Sequence, residues 1–241
     1  MKSKKNSILI IIPTYNEQKN INLIINKIKR SLTFNYNVLF IDDNSNDGTR
    51  EKILLLSKKN RMVKFIFRKK RYGIGSAHKE GISWAFKKKF TACITMDADR
   101  THNPSEIKNL LKKLKKNKAD IIITSRFMSE NSLADWPIIR KFITKIRYYL
   151  VKTILNTNLD SSGGFRCYNL KTLKEKHFKL VDNNGYFFLI ESLFYFEKLN
   201  YKIIEIPTKL KYRISGKSKM RIIDIVSSLF NLFRLSVSNK I

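Results

Sequence analysis

Asp97 and Asp99 stand two residues apart, just where the apolar run 92–96 ends. Carboxylates at that spacing can converge on one hard divalent cation. They leave coordination positions for water and for the oxygens of a substrate phosphate, which is how Mg²⁺ is usually held. Two other apolar runs also end in carboxylates. Run 8–12 is followed by Pro13-Thr14-Tyr15-Asn16-Glu17, and run 38–41 by Asp42-Asp43-Asn44-Ser45-Asn46-Asp47-Gly48-Thr49. Asp47, placed before Gly-Thr, has a plainer use as the cap of a following helix. Asp43 and Glu17 have no such ready use, and acidic groups gathered in one place repel unless a cation sits among them.

Those carboxylates can meet only if the elements that precede them run side by side. In the first half, the β-branched apolar runs 8–12, 38–41, 63–67, 92–96 and 121–124 read as strands covered on both faces. Helical patterns at 17–32, 49–58, 75–88 and 104–116 lie between them. In the first, Ile21, Ile24, Ile25 and Ile28 recur at three and four residues; in the last, Pro104 follows Asn103 at an N1 position, with Glu106 in the first turn. This alternation predicts an α/β fold with a mainly parallel sheet, and ligands of such sheets gather beyond the carboxyl ends of the strands. The second half is less regular. It predicts a long amphipathic helix at 137–155 with Ile139, Phe142, Ile143, Ile146 and Leu150 on one side, and a Gly-Gly turn leading into a strand at 162–168. A helix at 187–198, a strand at 202–212 and an apolar, aromatic segment at 219–237 complete the chain, with no internal repeat and no dividing linker.

The chain has 241 residues, 43% of them hydrophobic and 12% aromatic, enough for one large folded domain or one domain with a small appendage. Eight Gly, four Pro and two Cys exclude collagen-like, low-complexity and disulfide-scaffold classes. Cys93 and Cys167 lie in strand-like surroundings without metal-ligand spacing, which fits a reduced, cytosolic setting. No apolar run approaches the roughly 18–20 residues that span a bilayer. The basic N-terminus followed by run 8–12 imitates a signal peptide, but Pro13 ends it too soon, so a buried strand is expected and neither secretion nor a bilayer span. The 49 Lys and Arg against 19 Asp and Glu give a net charge of +30. Such a field favours polyanions: nucleic acid, anionic lipid surfaces or phosphorylated substrates. Much of the excess is Lys in solvated runs at 87–89 and 112–118, for which compositional bias is an equal explanation.

In this order and at these spacings, residues 13–17, 42–49 and 97–99 resemble the nucleotide-sugar domain of glycosyltransferase family 2, of the GT-A (Rossmann-like) type. Residues 97–104, Ser125-Arg126, Gly164-Phe165-Arg166 and 213–219 narrow the likeness to polyprenyl-phosphate (dolichol-phosphate) mannosyltransferases, over residues 8 to about 220. The resemblance implies that Pro13, Tyr15, Glu17, Ile41 and Asp43 line the nucleotide pocket. It implies that Asp97, Ala98 and Asp99 meet ribose and diphosphate, with Asp97 and Asp99 binding Mg²⁺ or Mn²⁺ and Thr101 joining them where relatives often carry Gln or Ser. Arg213 and Lys219 would close over the diphosphate, and Arg126, Arg140 and Thr144 would face an acceptor phosphate. The reaction implied is inverting transfer of a hexose, mannose from GDP-mannose, onto a polyprenyl phosphate.

Chemistry supports such a division of labour independently of the likeness. A nucleoside diphosphate leaving group gains negative charge as its bond to the sugar breaks, so a metal and fixed cations aimed there lower the barrier. A lipid phosphate is already an anion and needs positioning by planar guanidiniums, not a general base. Arg140 and Arg147 are seven residues apart on the 137–155 helix, although a solvated helix charge is the simpler expectation for Arg147. Glu191, mid-helix among aromatics, needs either a partner or an active-site task. His78 is expected on a helix surface, His102 without a metal partner and His177 in a Lys-rich turn. Two alternatives remain. One is a family member using UDP-glucose or a saccharide hydroxyl, with Glu191 or Asp160 as base; the other, more remote, is a basic nucleic-acid-binding protein.

The expected organisation is a glycosyltransferase domain at 1–212, then a basic loop and interfacial amphipathic helix at 213–241. The partners would be a nucleotide sugar, a polyprenyl phosphate, an anionic membrane surface and a membrane protein, but no specific nucleic acid. The expected location is the cytoplasmic face of a membrane.

Overall fold

Every residue of Ile8–Thr14 except Pro13 is buried, the mark of a strand covered on both sides. The computed structural model describes residues 7–129, 132–134, 136–210 and 222–238, and builds its sheet around this strand, β1. The first half then runs α1 (Gln18–Ser31), β2 (Asn37–Asp42), α2 (Thr49–Lys59), β3 (Val63–Phe67), α3 (Ile74–Lys87), β4 (Ala92–Thr95), a 3-10 turn (Pro104–Glu106) into α4 (Ile107–Lys116), and β5 (Ile121–Ser125). The second half comprises α5 (Ile138–Leu155), β6 (Arg166–Asn169), α6 (Glu175–Phe178), α7 (Phe188–Lys198), β7 (Ile203–Pro207) and α8 (Ile222–Ser236).

Among the described residues the seven strands form one sheet in the order β3-β2-β1-β4-β6-β5-β7. All neighbours are parallel except β6, which runs against both β4 and β5. The mainly parallel α/β architecture expected from the sequence is therefore present, with one reversed strand whose direction the apolar pattern did not carry. Side chains alternate across the sheet. Ile8, Ile10, Ile12, Val38 and Phe40 pack under α1 and α4. Leu9, Ile11, Leu39 and Ile41 face α3 and α7, where Leu232 and Leu235 of α8 join the same core. Helix α3 lies so close to the sheet that a Cβ on Gly81 would come within 2.6 Å of Ile11 and 2.8 Å of Ile41.

Three boundaries differ from expectation. Strand β6 starts at Arg166 because residues 162–165 form the loop that enters it; α6 was not anticipated; and the strand expected at 202–212 ends at Pro207. The boundary expected at 212/213 lies outside the described residues. Helix α5 buries Thr144, Val151 and Leu155, while the apolar side noted in the sequence is exposed. No helix of the described residues is long and apolar enough to cross a membrane.

Candidate active site

Parallel register brings three strand ends to one edge. Thr14 pairs with Asp42, and Ile11 with Thr95, so the chain leaves β1, β2 and β4 side by side. Asp43 N–H donates to the Thr14 carbonyl at 2.9 Å, and Met96 N–H to the Ile11 carbonyl at 3.1 Å. Beyond them opens a cleft of about 430 Å³, within the range of small-molecule sites. Pro13, Tyr15, Glu17, Asp43, Asp97, Ala98 and Asp99 all line it, as the sequence placed them. Ile41 is corrected: strand alternation turns its side chain to the α3 face, where it is fully buried, and only its carbonyl points toward Thr14.

Asp43 is fully engaged. Oδ1 accepts from Arg68 Nη1 at 2.9 Å and from Tyr72 N–H at 2.8 Å, while Oδ2 accepts from Gly73 N–H at 2.8 Å. Arg68 is thus the cation that the acidic cluster demanded, and Asp43 acts on the cleft through the 68–73 loop. Arg71, Tyr72 and Gly73 of that loop line the cleft, with the Arg71 guanidinium 4.2 Å above the Tyr15 ring. The sequence pattern singled out none of these residues for the cleft. The available signal was the requirement for a cation near Asp43, but spacing alone did not say which one.

Gly185 and Tyr186 continue this lining. Gly73 adopts φ +96°, and a Cβ there would lie 2.4 Å from the Asn184 carbonyl; at Gly75 it would lie 2.6 Å from the Gly185 carbonyl. Glycine is needed at both because two loop backbones touch. Glu191 holds the 182–186 loop: its carboxylate accepts from Asp182 N–H at 3.1 Å and Asn183 N–H at 2.9 Å. Glu191 therefore has a structural partner, and it borders a separate cavity of about 290 Å³ beneath α8.

At the β4 end, Asp99 Oδ1 accepts from Thr101 N–H at 3.0 Å and from its hydroxyl at 2.7 Å. Thr101 supports Asp99 from behind and does not line the cleft, which corrects its place in the ligand set. Asp97 N–H donates to His102 Nδ1 at 3.0 Å, and His102 stacks on Phe165 with ring centres 5.0 Å apart. Instead of standing idle, His102 fixes the turn that carries both carboxylates. The fit to a divalent cation rests on donor chemistry. Asp97 and Asp99 offer hard oxygens into one cleft, and among the described residues no group of three or more His, Cys, Asp or Glu could form a closed metal cage. Two carboxylates with room for a diphosphate suit Mg²⁺ or Mn²⁺ better than a structural metal.

Arg126 lies apart from the cleft, in a fork-to-fork pair with Asp160: Nε to Oδ2 at 2.9 Å and Nη2 to Oδ1 at 2.6 Å. Burial alone would lower the Arg126 pKa, but Asp160 more than offsets this and leaves it raised. Burial likewise opposes ionisation of Asp160, and the charge and hydrogen bonds of Arg126 overcome it to hold the carboxyl below its ordinary value. Arg147, expected to be solvated, is instead drawn inward. It donates to Ser162 Oγ at 3.2 Å, its Nε is buried with no hydrogen-bond partner, and Arg126 also donates to Ser162. Burial, then repulsion from Arg126 and Arg140, bring its pKa down to about 10 against the pull of Asp160. Arg126 and Arg147 thus both feel the charge of Asp160. Arg140 stacks over Trp136 at 4.3 Å and Thr144 is buried on the same helix. The cluster adjoins the cleft, since Gly164, two residues past Ser162, has its Cβ position 3.7 Å from Asp97 Oδ1. Arg213 and Lys219 lie outside the described residues.

His78 is also corrected: it is buried on α3 against Phe188, ring centres 5.5 Å apart, with neither nitrogen hydrogen-bonded. His177 lies in α6, with Nδ1 2.7 Å from the Tyr201 hydroxyl. Cys93 and Cys167 are free, buried thiols.

The family model described as glycosyl transferase family 2 matches residues 9–191. An undecaprenyl-phosphate mannosyltransferase of Micrococcus luteus is 30% identical over 214 residues, covering 88% of this chain and 87% of that protein. A polyprenol monophosphomannose synthase of Mycolicibacterium smegmatis is 28% identical over 236 residues, covering 97% and 88%. Among solved structures, glucosyl-3-phosphoglycerate synthase of Mycobacterium tuberculosis, crystallised with Mn²⁺, UDP-glucose and phosphoglyceric acid, superposes with a TM-score of 0.67. It is 14% identical, covering 98% of this chain and 81% of that one, a likeness of fold alone.

Proposed function

The chain belongs to glycosyl transferase family 2, and on that premise we propose that it transfers a hexose, mannose from GDP-mannose, to a polyprenyl phosphate at a membrane surface. The observation that carries this reading is the contrast between committed carboxylates and a crowded cation cluster. Asp160 is held by Arg126 and Glu191 by backbone N–H groups, so neither is placed to deprotonate a hydroxyl. Beside them, Arg126 is paired with Asp160, and the buried Arg147 reaches Ser162 Oγ with its Nε left without a hydrogen-bond partner. That arrangement suits an acceptor that arrives as an anion and needs no base. The two curated relatives named above act on lipid phosphates by name, and support the same choice.

Tyr15 beneath Arg71 gives a flat cationic wall for the nucleoside, with Glu17 behind it. Asp97 and Asp99 would hold Mg²⁺ or Mn²⁺ against the diphosphate. A bound divalent ion supplies positive charge to the departing group. Arg213 and Lys219, which follow β7 in the sequence, would close over it. Arg126, Arg147 and Arg140, with Thr144, would orient the acceptor phosphate. One of its oxygens forms the new bond to the anomeric carbon as the bond to the diphosphate breaks on the opposite face, and the nucleoside diphosphate leaves with inversion.

A transfer assay tests this directly. GDP-mannose, UDP-glucose and UDP-GlcNAc are each offered with polyprenyl phosphate, with and without Mg²⁺ or Mn²⁺. Metal-dependent formation of a mannosyl lipid is expected. Transfer confined to saccharide hydroxyls, or a full rate in excess chelator, would overturn the acceptor or the metal assignment respectively.

A further inference from the structure

The donor carboxylates and the acceptor guanidiniums stand beyond the ends of β4 and β5, which are not neighbours in the sheet. Strand β6 lies between them and runs the other way, so two strand spacings, roughly 9–10 Å, separate the two ends. Thr208 joins them. Buried just past β7, it donates its hydroxyl to Glu106 Oε2 at 2.8 Å and its N–H to the Ser125 carbonyl at 3.1 Å. Ser125 immediately precedes Arg126, and Glu106 ends the turn that leaves Asp97. That turn is held at three points: Asp97 N–H on His102, Thr101 on Asp99, and Glu106 N–H on the Asn103 carbonyl at 3.0 Å. Two residues past Thr208, Leu210 N–H donates to the Ser132 carbonyl at 3.3 Å, and the Ser132 hydroxyl donates to the Arg126 carbonyl. The Leu210 side chain packs with Leu133 and with Trp136, over which Arg140 lies.

We propose that Glu106 and Thr208 are a positioning pair that holds the Asp97–Asp99 turn in register with the Arg126 cluster. A Glu in the first turn of a helix, three residues after an Asn, ordinarily turns back to the N–H of that cap. Here Asn103 caps Ser105 N–H by itself, and Glu106 reaches across to a residue 102 positions away. Packing brings the two together: Ile107 and Ile206 are buried in the same core, so the residues beside them meet at its edge. Neither member lines the cleft. Their bearing on the reaction is geometric. In-line displacement requires the acceptor oxygen to meet the anomeric carbon opposite the departing diphosphate, and a shift of about 1 Å can cost roughly a hundredfold in rate. The metal turn fixes the diphosphate, the guanidinium cluster fixes the attacking phosphate, and Thr208 fixes one against the other. This role rests on the assignment of donor and acceptor sites made above, and adds to it two residues that touch neither substrate.

The test is steady-state kinetics of the full chain with GDP-mannose and a short-chain polyprenyl phosphate, beside thermal unfolding. Thr208→Val keeps the shape and removes the donor; Glu106→Ala removes the acceptor from a half-buried position. Each is expected to lower kcat by about ten- to a hundredfold. The KM of both substrates should stay within about threefold of the parent, and the melting temperature should hold. The double variant should lose no more than either single one, because all three break the same link. Thr208→Ser and Glu106→Gln keep a donor and an acceptor and should restore most of the parent kcat. Parent-like kcat in Thr208→Val and Glu106→Ala overturns the proposal, as do additive losses in the double variant. So does a loss confined to the donor KM, which would assign the pair to the nucleotide site alone, and so does a loss that Glu106→Gln fails to restore. If Thr208→Val does not fold, the comparison of Glu106→Ala with Glu106→Gln decides. Failure of the underlying assignment shows in the parent instead. Transfer from another sugar nucleotide, or to a saccharide hydroxyl, refutes that assignment, and the same variants are then measured on the substrates the parent uses.

Discussion

Neutralising Asp99 should separate chemistry from folding, because Asn at this position can still accept the two Thr101 hydrogen bonds at Oδ1. Asp99→Asn is therefore expected to lower kcat by about 10²–10³-fold, with a melting temperature close to that of the parent. Steady-state kinetics beside thermal unfolding reads both, and an undiminished kcat would sink the metal assignment. The guanidinium cluster offers a sharper contrast. Arg147→Met removes a charge whose Nε has no hydrogen-bond partner, so the acceptor KM should rise by about ten- to a hundredfold, with the donor KM unchanged and stability held. Asp160→Asn strips Arg126 of its counter-charge in a buried place and should cost about 3–5 kcal/mol in denaturant unfolding. At this scale the sequence disclosed the carboxylates, since strand ends and D-x-D spacing are local. It concealed Arg68, Arg71 and the burial of Arg147, since nothing in a run of basic residues distinguishes a solvated side chain from one drawn under a loop.

Elements meet most closely where the loop before α3 touches the loop before α7. Adding a methyl group at Gly73 or Gly75 forces apart Asn184 and Gly185, and with them the wall that Tyr186 completes. Gly75→Ala should raise the donor KM by at least tenfold and cost about 1–3 kcal/mol in stability, while acceptor KM stays near the parent value. Titration calorimetry with a nucleoside diphosphate provides the check, and parent-like affinity would show that the wall is not needed. The strand–helix alternation of the first half was legible because each short, β-branched apolar run is followed by a helical pattern before the next one begins. Later elements were less so. The apolar side of α5 has the same periodicity whether it faces a core or is exposed, and β6 reads the same in either direction.

For the molecule as a whole, His78 makes acid stability a sensitive measure of the core. Burial, then the nearby charges of Arg166 and His102, hold its imidazole down at about 3, far below the ordinary 6.5. The unfolded chain takes up that proton near pH 6.5 and the folded chain does not, so its contribution is complete above pH 6.5. It is lost as pH falls toward 3, by up to about 1.4 kcal/mol per pH unit. His78→Phe keeps the stack on Phe188 and should flatten that slope between pH 6.5 and 4.5, as read by urea unfolding at each pH. An unchanged slope would assign the acid sensitivity elsewhere. The reversed strand has a further bearing on how such an enzyme can diversify. Because β6 starts at the edge where β5 ends, the span from Arg126 to Gly164 leaves the sheet and returns to it on the same side, while the donor wall comes from β1, β2 and β4. Exchanging that span for the corresponding piece of a relative, with its core positions Val151 and Leu155 kept, should change which acceptor is glycosylated and leave the choice of sugar nucleotide where it was.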